Sequence, residues 1–187
     1  MPTATAVTSR SRHRVWTYAD YCRIPPDRKR HEIIDGRHYV SPAPDLGHQD
    51  ASANLHFELM AKVKQAGHGK VYAAPIDVHL GRGSLVQPDL VVVLRKNAAV
   101  LGDKKITGAP DLVVEILSPS TTGRDRRLKK ARYERAGVRE FWIVDTDEQT
   151  VEQFVLRGGR YGRGVVCTDR IRLRILRGVT IDLGNVW

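Results

Sequence analysis

Ala109-Pro110-Asp111-Leu112-Val113-Val114-Glu115-Ile116-Leu117 sets a glutamate inside an otherwise apolar run, and Gln87-Pro88-Asp89-Leu90-Val91-Val92-Val93-Leu94 repeats its opening. Both runs are nearly continuous in Val, Leu and Ile, the pattern of strands covered on both faces. An ionised carboxylate there is costly unless it is paired or bound to a metal. A single glutamate would be satisfied by an Arg or Lys. A second carboxylate, Asp89, at the start of a neighbouring apolar strand points instead to a shared hard cation with oxygen ligands. Asp111 is the rival for that role. It shares a face with Glu115 but lies four residues earlier, about 13 Å away at ~3.3 Å per residue, so its work is local, in the turn entering the strand.

A carboxylate pair that handles phosphate also needs a cation for the nucleophile and the developing charge. Leu117, two residues past Glu115 on the same face, does not supply it. The helix that follows offers Lys129 and Lys130 as candidates, although from spacing alone a helical lysine is more often a solvated charge. Lys129 stands one turn before Tyr133 and shares its face; Leu128 and Ala131 are expected to pack inward.

Outward from these strands, residues 1 to 14 read as a flexible basic arm without periodicity, and 15 to 187 as one domain. Thr17 caps a short helix to about Arg23, stopped by Pro25 and Pro26. Asp35-Gly36 joins two β-favouring runs, His31–Ile34 and Arg37–Val40, as a hairpin. Ala51, Leu55, Leu59 and Val63 repeat every four residues and mark one face of a helix from about Gln49 to Ala66, with Gly67 as its stop. Lys70–Ala74, Ile76–Leu80, Val86–Leu94 and Leu112–Leu117 read as strands, with a turn at Gly81 and Gly83. Ser118–Gly123 leads into a basic helix, about Arg124 to Ala136. Phe141–Asp145, then Val151–Leu156 and Tyr161–Val166 around Gly158-Gly159, then Ile171–Ile175, complete the strands. The sum is an α/β arrangement of α+β type: a mixed central sheet flanked by helices.

Composition narrows the function. No apolar run is long enough to span a bilayer, and the arginines near the start are not followed by the apolar stretch of a secretory signal. Cys22 and Cys167 stand alone, which excludes a disulfide scaffold and a Cys-rich zinc site and fits a reducing cytoplasm. There are 31 Lys and Arg against 21 Asp and Glu, and the net charge of +10 favours a polyanionic partner. His56, His68 and His79 lack metal-ligand spacing, and Trp16, Trp142 and Trp187 are too dispersed for a base-stacking platform. His48 opens the long helix as a candidate extra site residue, although a lone histidine is more often structural.

These residues resemble the Uma-type restriction endonuclease family, a branch of the PD-(D/E)XK nucleases, over roughly Tyr18 to Phe154. The resemblance rests on His31-Glu32-Ile33-Ile34-Asp35-Gly36, Gln87-Pro88-Asp89-Leu90, and Val114-Glu115-Ile116-Leu117-Ser118-Pro119-Ser120-Thr121. Asp125, Lys129 and Tyr133 follow, then Ala136-Gly137-Val138-Arg139-Glu140-Phe141-Trp142-Ile143-Val144-Asp145. Each fragment is modest alone; their combination in order is specific. The resemblance implies a restriction-endonuclease-like core with Mg²⁺ or Mn²⁺. It assigns Asp89 and Glu115 as metal ligands, and the Ile116 carbonyl is expected to bind the cation beside them. Lys129 becomes the migrated lysine, in place of one at Leu117, and Glu32 an early acidic residue near the metal. Glu32, Asp89, Glu115 and Lys129 are then the catalytic set.

The expected activity is metal-dependent hydrolysis of phosphodiester bonds in DNA by an endonuclease, and a homodimer would suit double-strand cleavage. Arg124, Arg126, Arg127 and Lys130 on the basic helix are candidates to track the nucleic-acid backbone; the competing reading is an ordinary solvated helix face, partly paired with Glu134. The alternative function is a catalytically silent DNA-binding or regulatory module with a nuclease fold. A third reading, a hydrolase of small phosphoesters, is less suited to the positive charge.

Overall fold

A computed structural model describes residues 14–27, 29–81, 83–118, 123 and 125–187. The arm expected at 1–14 lies outside them except for Arg14, which pairs with Asp20, and so do Arg124 and most of the Ser/Thr loop before it. Helix α1 (Tyr18–Tyr21) is fixed by a capping box, in which Thr17 accepts from the Asp20 backbone N–H and Asp20 accepts from the Thr17 N–H. Strands β1 (Arg30–Ile34) and β2 (Arg37–Ser41) form the expected hairpin, with Ile34 opposite Arg37. Asp35 and Gly36 sit at φ of 49° and 76°, the conformation a two-residue turn requires.

Helix α2 (Leu46–Leu59) starts three residues earlier than the periodicity predicts, because Asp45 caps it by accepting from the His48 N–H at 2.9 Å. A π-helical stretch, Met60–Gln65, prolongs it. Ala51, Leu55, Leu59 and Val63 are all buried, as their spacing requires.

The central sheet has the order β11-β10-β9-β8-β6-β3, with β12 also on β10. Its members are β3 (Gly69–Ala73), β6 (Leu90–Leu94), β8 (Leu112–Ile116), β9 (Glu140–Asp145), β10 (Thr150–Arg157), β11 (Arg160–Tyr161) and β12 (Val165–Cys167). Only β8 and β9 run parallel; β6 pairs antiparallel with both β3 and β8. Each residue of β6 and β8 is buried. Leu90, Val92, Leu112, Val114 and Ile116 face α2 and the C-terminal hairpin β13 (Arg170–Arg172) and β14 (Thr180–Asp182). Val91, Val93 and Val113 face the other way, onto helix α3 (Lys130–Ala136) and the second sheet. That sheet has the order β2-β1-β5-β4-β7, adding β4 (Val78–His79), β5 (Leu85–Val86) and β7 (Ile106–Thr107). Among the described residues no helix is long and apolar enough to cross a membrane.

Three expectations are corrected. The run Val86–Leu94 is not one strand: Leu85–Val86 belongs to the small sheet and Leu90–Leu94 to the central one. Gln87-Pro88-Asp89 hands the chain from one to the other, and Pro88 has no N–H to give a ladder. The basic helix opens with a π-helical turn, Asp125–Lys129, before α3. That wider turn changes the side-chain phase, so Leu128 and Ala131 are exposed, not packed inward. The short strands β7 and β14 had no counterpart in the periodicity.

Candidate metal and catalytic centre

The site forms where β6 begins and β8 ends. Leu90 stands opposite Val114. Asp89 immediately precedes Leu90 and Glu115 immediately follows Val114, so both acids stand at this end of the paired strands. The Ile116 N–H donates to Asp89 Oδ2 at 2.7 Å, which fixes the strands at this point.

Both acids are buried, Asp89 at 2% and Glu115 at 1% exposure. Lys129 Nζ donates to the two Glu115 oxygens at 3.0 Å each and meets Glu32 Oε1 at 2.8 Å. Lys129 is itself 1% exposed. The Tyr133 hydroxyl donates to Glu115 Oε1 at 2.5 Å. Lys129 and Tyr133 therefore act from one face of the π-to-α segment, as their spacing predicts. Lys130, the other lysine weighed, points elsewhere, its ammonium 3.8 Å from the centre of the Phe154 ring. Glu32 enters from β1, and its Oε1 also accepts from the Gln87 N–H at 2.9 Å. The four residues of the expected catalytic set are thus brought together from two sheets and a helix.

Two partners of Asp89 complete the cluster. Arg30 donates to Oδ1 at 2.7 Å, and His48 Nε2 lies 3.4 Å from Oδ2. Burial pushes the Asp89 carboxyl up, but His48, Arg30 and the Ile116 N–H outweigh it and hold its pKa at about 2. For Arg30, burial favours loss of charge, yet Asp89, Glu115 and Glu32 overcome it and raise its pKa, so it stays charged. Arg30 escaped the sequence reading; the available signal was its alternation with Glu32 along β1, which puts both on one face. His48 is buried, and its Nδ1 has no hydrogen-bond partner among the described residues. Asp111 sits at the far end of β8, accepting from the Leu94 N–H, Asn97 and Arg139, so its role is local as expected.

The donor set fits a hard divalent cation. Among the described residues no group of three or more His, Cys, Asp or Glu side chains is arranged as a metal cage. Mg²⁺ does not need one, since it is commonly held by one or two carboxylates and keeps several waters. Asp89, Glu115 and the Ile116 carbonyl would hold it. Among the described residues, Arg30 pairs with Asp89, and Lys129 with Glu32 and Glu115.

The proposed backbone-tracking residues are less uniform. Arg126 pairs with Asp145 at 3.4 Å and Glu152 at 2.8 Å. Arg127 is exposed. Glu134, expected to pair along the helix, instead accepts from the Tyr161 N–H.

Residues 18–184 match the family model Uma2, described as "Putative restriction endonuclease". A solved structure described as a "putative nuclease belonging to DUF820", from Anabaena variabilis ATCC 29413, has the same fold. Its TM-score is 0.76 at 18% identity, with 91% of this chain and 97% of that one covered. No curated protein matches the sequence.

Proposed function

Since the chain belongs to the Uma2 family of restriction-endonuclease-type proteins, we propose that it is a Mg²⁺- or Mn²⁺-dependent endonuclease hydrolysing phosphodiester bonds in DNA. The observation that carries this reading is Lys129, buried to 1% exposure between Glu115 and Glu32, with Asp89 held at the same strand end by the Ile116 N–H. A binding module has no need to bury three carboxylates at one sheet end.

In this reading Asp89, Glu115 and the Ile116 carbonyl hold the cation, with Glu32 beside them. The bound cation supplies Lewis acidity, polarising a phosphate oxygen and acidifying a water. Lys129 pairs with Glu115 and Glu32 and carries donors to orient the attacking water or meet charge on the phosphate. Tyr133 fixes the Glu115 rotamer. Arg30 and His48 hold Asp89 as an anion aimed at the site.

Nicking of supercoiled plasmid DNA in Mg²⁺ or Mn²⁺ tests it. Wild type is expected to nick, and Asp89→Ala and Glu115→Ala to lose at least about 10²-fold in rate. Undiminished nicking by both variants would defeat the assignment. An inert wild type showing no cation-dependent change in thermal stability would favour the silent DNA-binding module.

A further inference from the structure

The net charge is unevenly placed. From Arg157 to Arg177 there are seven arginines and one aspartate, Asp169, a surplus of six in a chain whose net charge is +10. This stretch runs from the end of β10 through β12 and β13 into the turn before β14. Arg172, Arg174 and Arg177 line a cavity of about 590 Å³. Arg157, Arg163 and Arg174 line another of about 330 Å³. Arg174 lines both, so the two are neighbours, and neither has an acidic lining residue. All five arginines are exposed. Among the described residues none of the five lies within ion-pair distance of a carboxylate; the pair in this stretch is Arg170 with Asp182, at 3.8 Å.

The basic helix differs. Arg126 is held by Asp145 and Glu152, and Arg132 and Arg135 face Asp35. Lys129 is buried and Lys130 rests on Phe154. Its cations are thus partly neutralised locally, with Arg127 left exposed.

The arginine surface is also separate from the acid cluster, lying on the other face of the sheet, and Arg157 is displaced from it along the strands as well. Ile143 lies level with Glu115, whereas Val155 lies level with Glu140, three residues back along β9, and Arg157 is two residues beyond. That is about 17 Å along the sheet. Gln153, which shares Arg157's face by alternation, donates to the Arg172 carbonyl, so this face is the one carrying the C-terminal hairpin. Glu115 faces the opposite side, toward Tyr133.

We propose that these five arginines form a second nucleic-acid contact, an anchoring site for the phosphate backbone separate from the acid cluster. Guanidinium groups present paired donors that match phosphate oxygens, and each phosphate neutralised releases a condensed counterion. The inference rests on the nuclease reading only in taking nucleic acid as the polyanion.

The test is fluorescence anisotropy with a labelled 30-base-pair duplex, in EDTA, over a KCl series. The exposed triple variant Arg157→Gln/Arg163→Gln/Arg177→Gln is compared with Arg126→Gln/Arg135→Gln, whose arginines are already paired; melting curves check that both remain folded. The triple variant is expected to lower the slope of log K against log[salt] by about 2 to 3 and to weaken binding at least about ten-fold. The paired-arginine control is expected to change the slope by less than about 0.5. In nicking assays the triple variant raises KM and leaves kcat unchanged. No duplex binding by wild type, an unchanged slope in the triple variant, or an equal loss in the control would each overturn the anchor. Wild type that binds with the full slope but never nicks would defeat the nuclease reading while leaving the anchor standing.

Discussion

Lys129→Met replaces a buried cation by an apolar side chain of similar length and isolates what the charge does. Lys129 Nζ lies 3.0 Å from both Glu115 oxygens and 2.8 Å from Glu32 Oε1, and all three side chains are 1% exposed. Removing one partner of a buried ion pair costs about 3–5 kcal/mol. Two carboxylates lose their cation here, which favours the upper half of that range, while the Tyr133 hydroxyl and the Gln87 N–H remain as donors and limit it. A loss of about 4 kcal/mol follows, a large share of the ~5–15 kcal/mol that stabilises an ordinary domain. Urea denaturation followed by circular dichroism measures it. Repeating the titration with MnCl₂ tests whether a divalent cation replaces the missing charge. A cation at 100 times its Kd adds about 2.7 kcal/mol to any fold that binds it, and the gain should be larger in Lys129→Met than in wild type and absent in Glu115→Ala. A variant within about 1 kcal/mol of wild type would refute the argument that these acids depend on one shared buried charge. An equal Mn²⁺ gain in Glu115→Ala would separate the cation from this site.

Tyr133→Phe removes one charge-assisted hydrogen bond to Glu115 and should cost about 1.5–3 kcal/mol in the same denaturation assay. Glu140 accepts from the Ile175 and Arg174 N–H groups, Trp142 and Gln153, and burial still raises its pKa against those donors. A raised folded pKa in an acid means that its stabilising contribution is complete below the usual carboxylate range and is lost as pH rises through the raised value. Glu140→Gln should therefore flatten the fall in stability above that range. Below it the variant should be about 2 kcal/mol less stable, because its amide must turn a donor toward two existing donors; parallel pH profiles for variant and wild type would refute this. Gly69→Ala would place a Cβ 2.3 Å from the Val93 carbonyl oxygen and 2.8 Å from Leu94 Cα, backbone of the paired strand, so a loss of about 1–3 kcal/mol in thermal or urea stability is expected.

Local chemistry made much of this molecule legible. Asp35-Gly36 specifies its turn because the pair tolerates positive φ, and the four-residue spacing from Ala51 to Val63 specifies a buried helical face. Glu115 stood out because a charge inside an apolar strand demands a partner. What escaped the sequence depends on relations that no local pattern records. The break between Val86 and Leu90 reflects two sheets claiming adjacent segments of one apolar run. The exposure of Leu128 reflects a π-helical turn, which a 3.6-residue period does not anticipate. Arg30 and His48 meet Asp89 from elements far away in the chain, and the free positive charge lies on the C-terminal strands while the lysine- and arginine-rich helix is partly neutralised by acids from other elements.

The dispersed origin of the cluster has a consequence for synthesis. Arg30, the partner of Asp89, is made before the acids, but Glu32 and Glu115 both leave the ribosome before Lys129, so a growing chain holds these two acids before it holds the cation they share. Burying Glu32 and Glu115 at that end is costly until the segment carrying Lys129 and Tyr133 docks. A chain that stops short of Lys129 therefore carries the acids of the cluster without the cation at its centre.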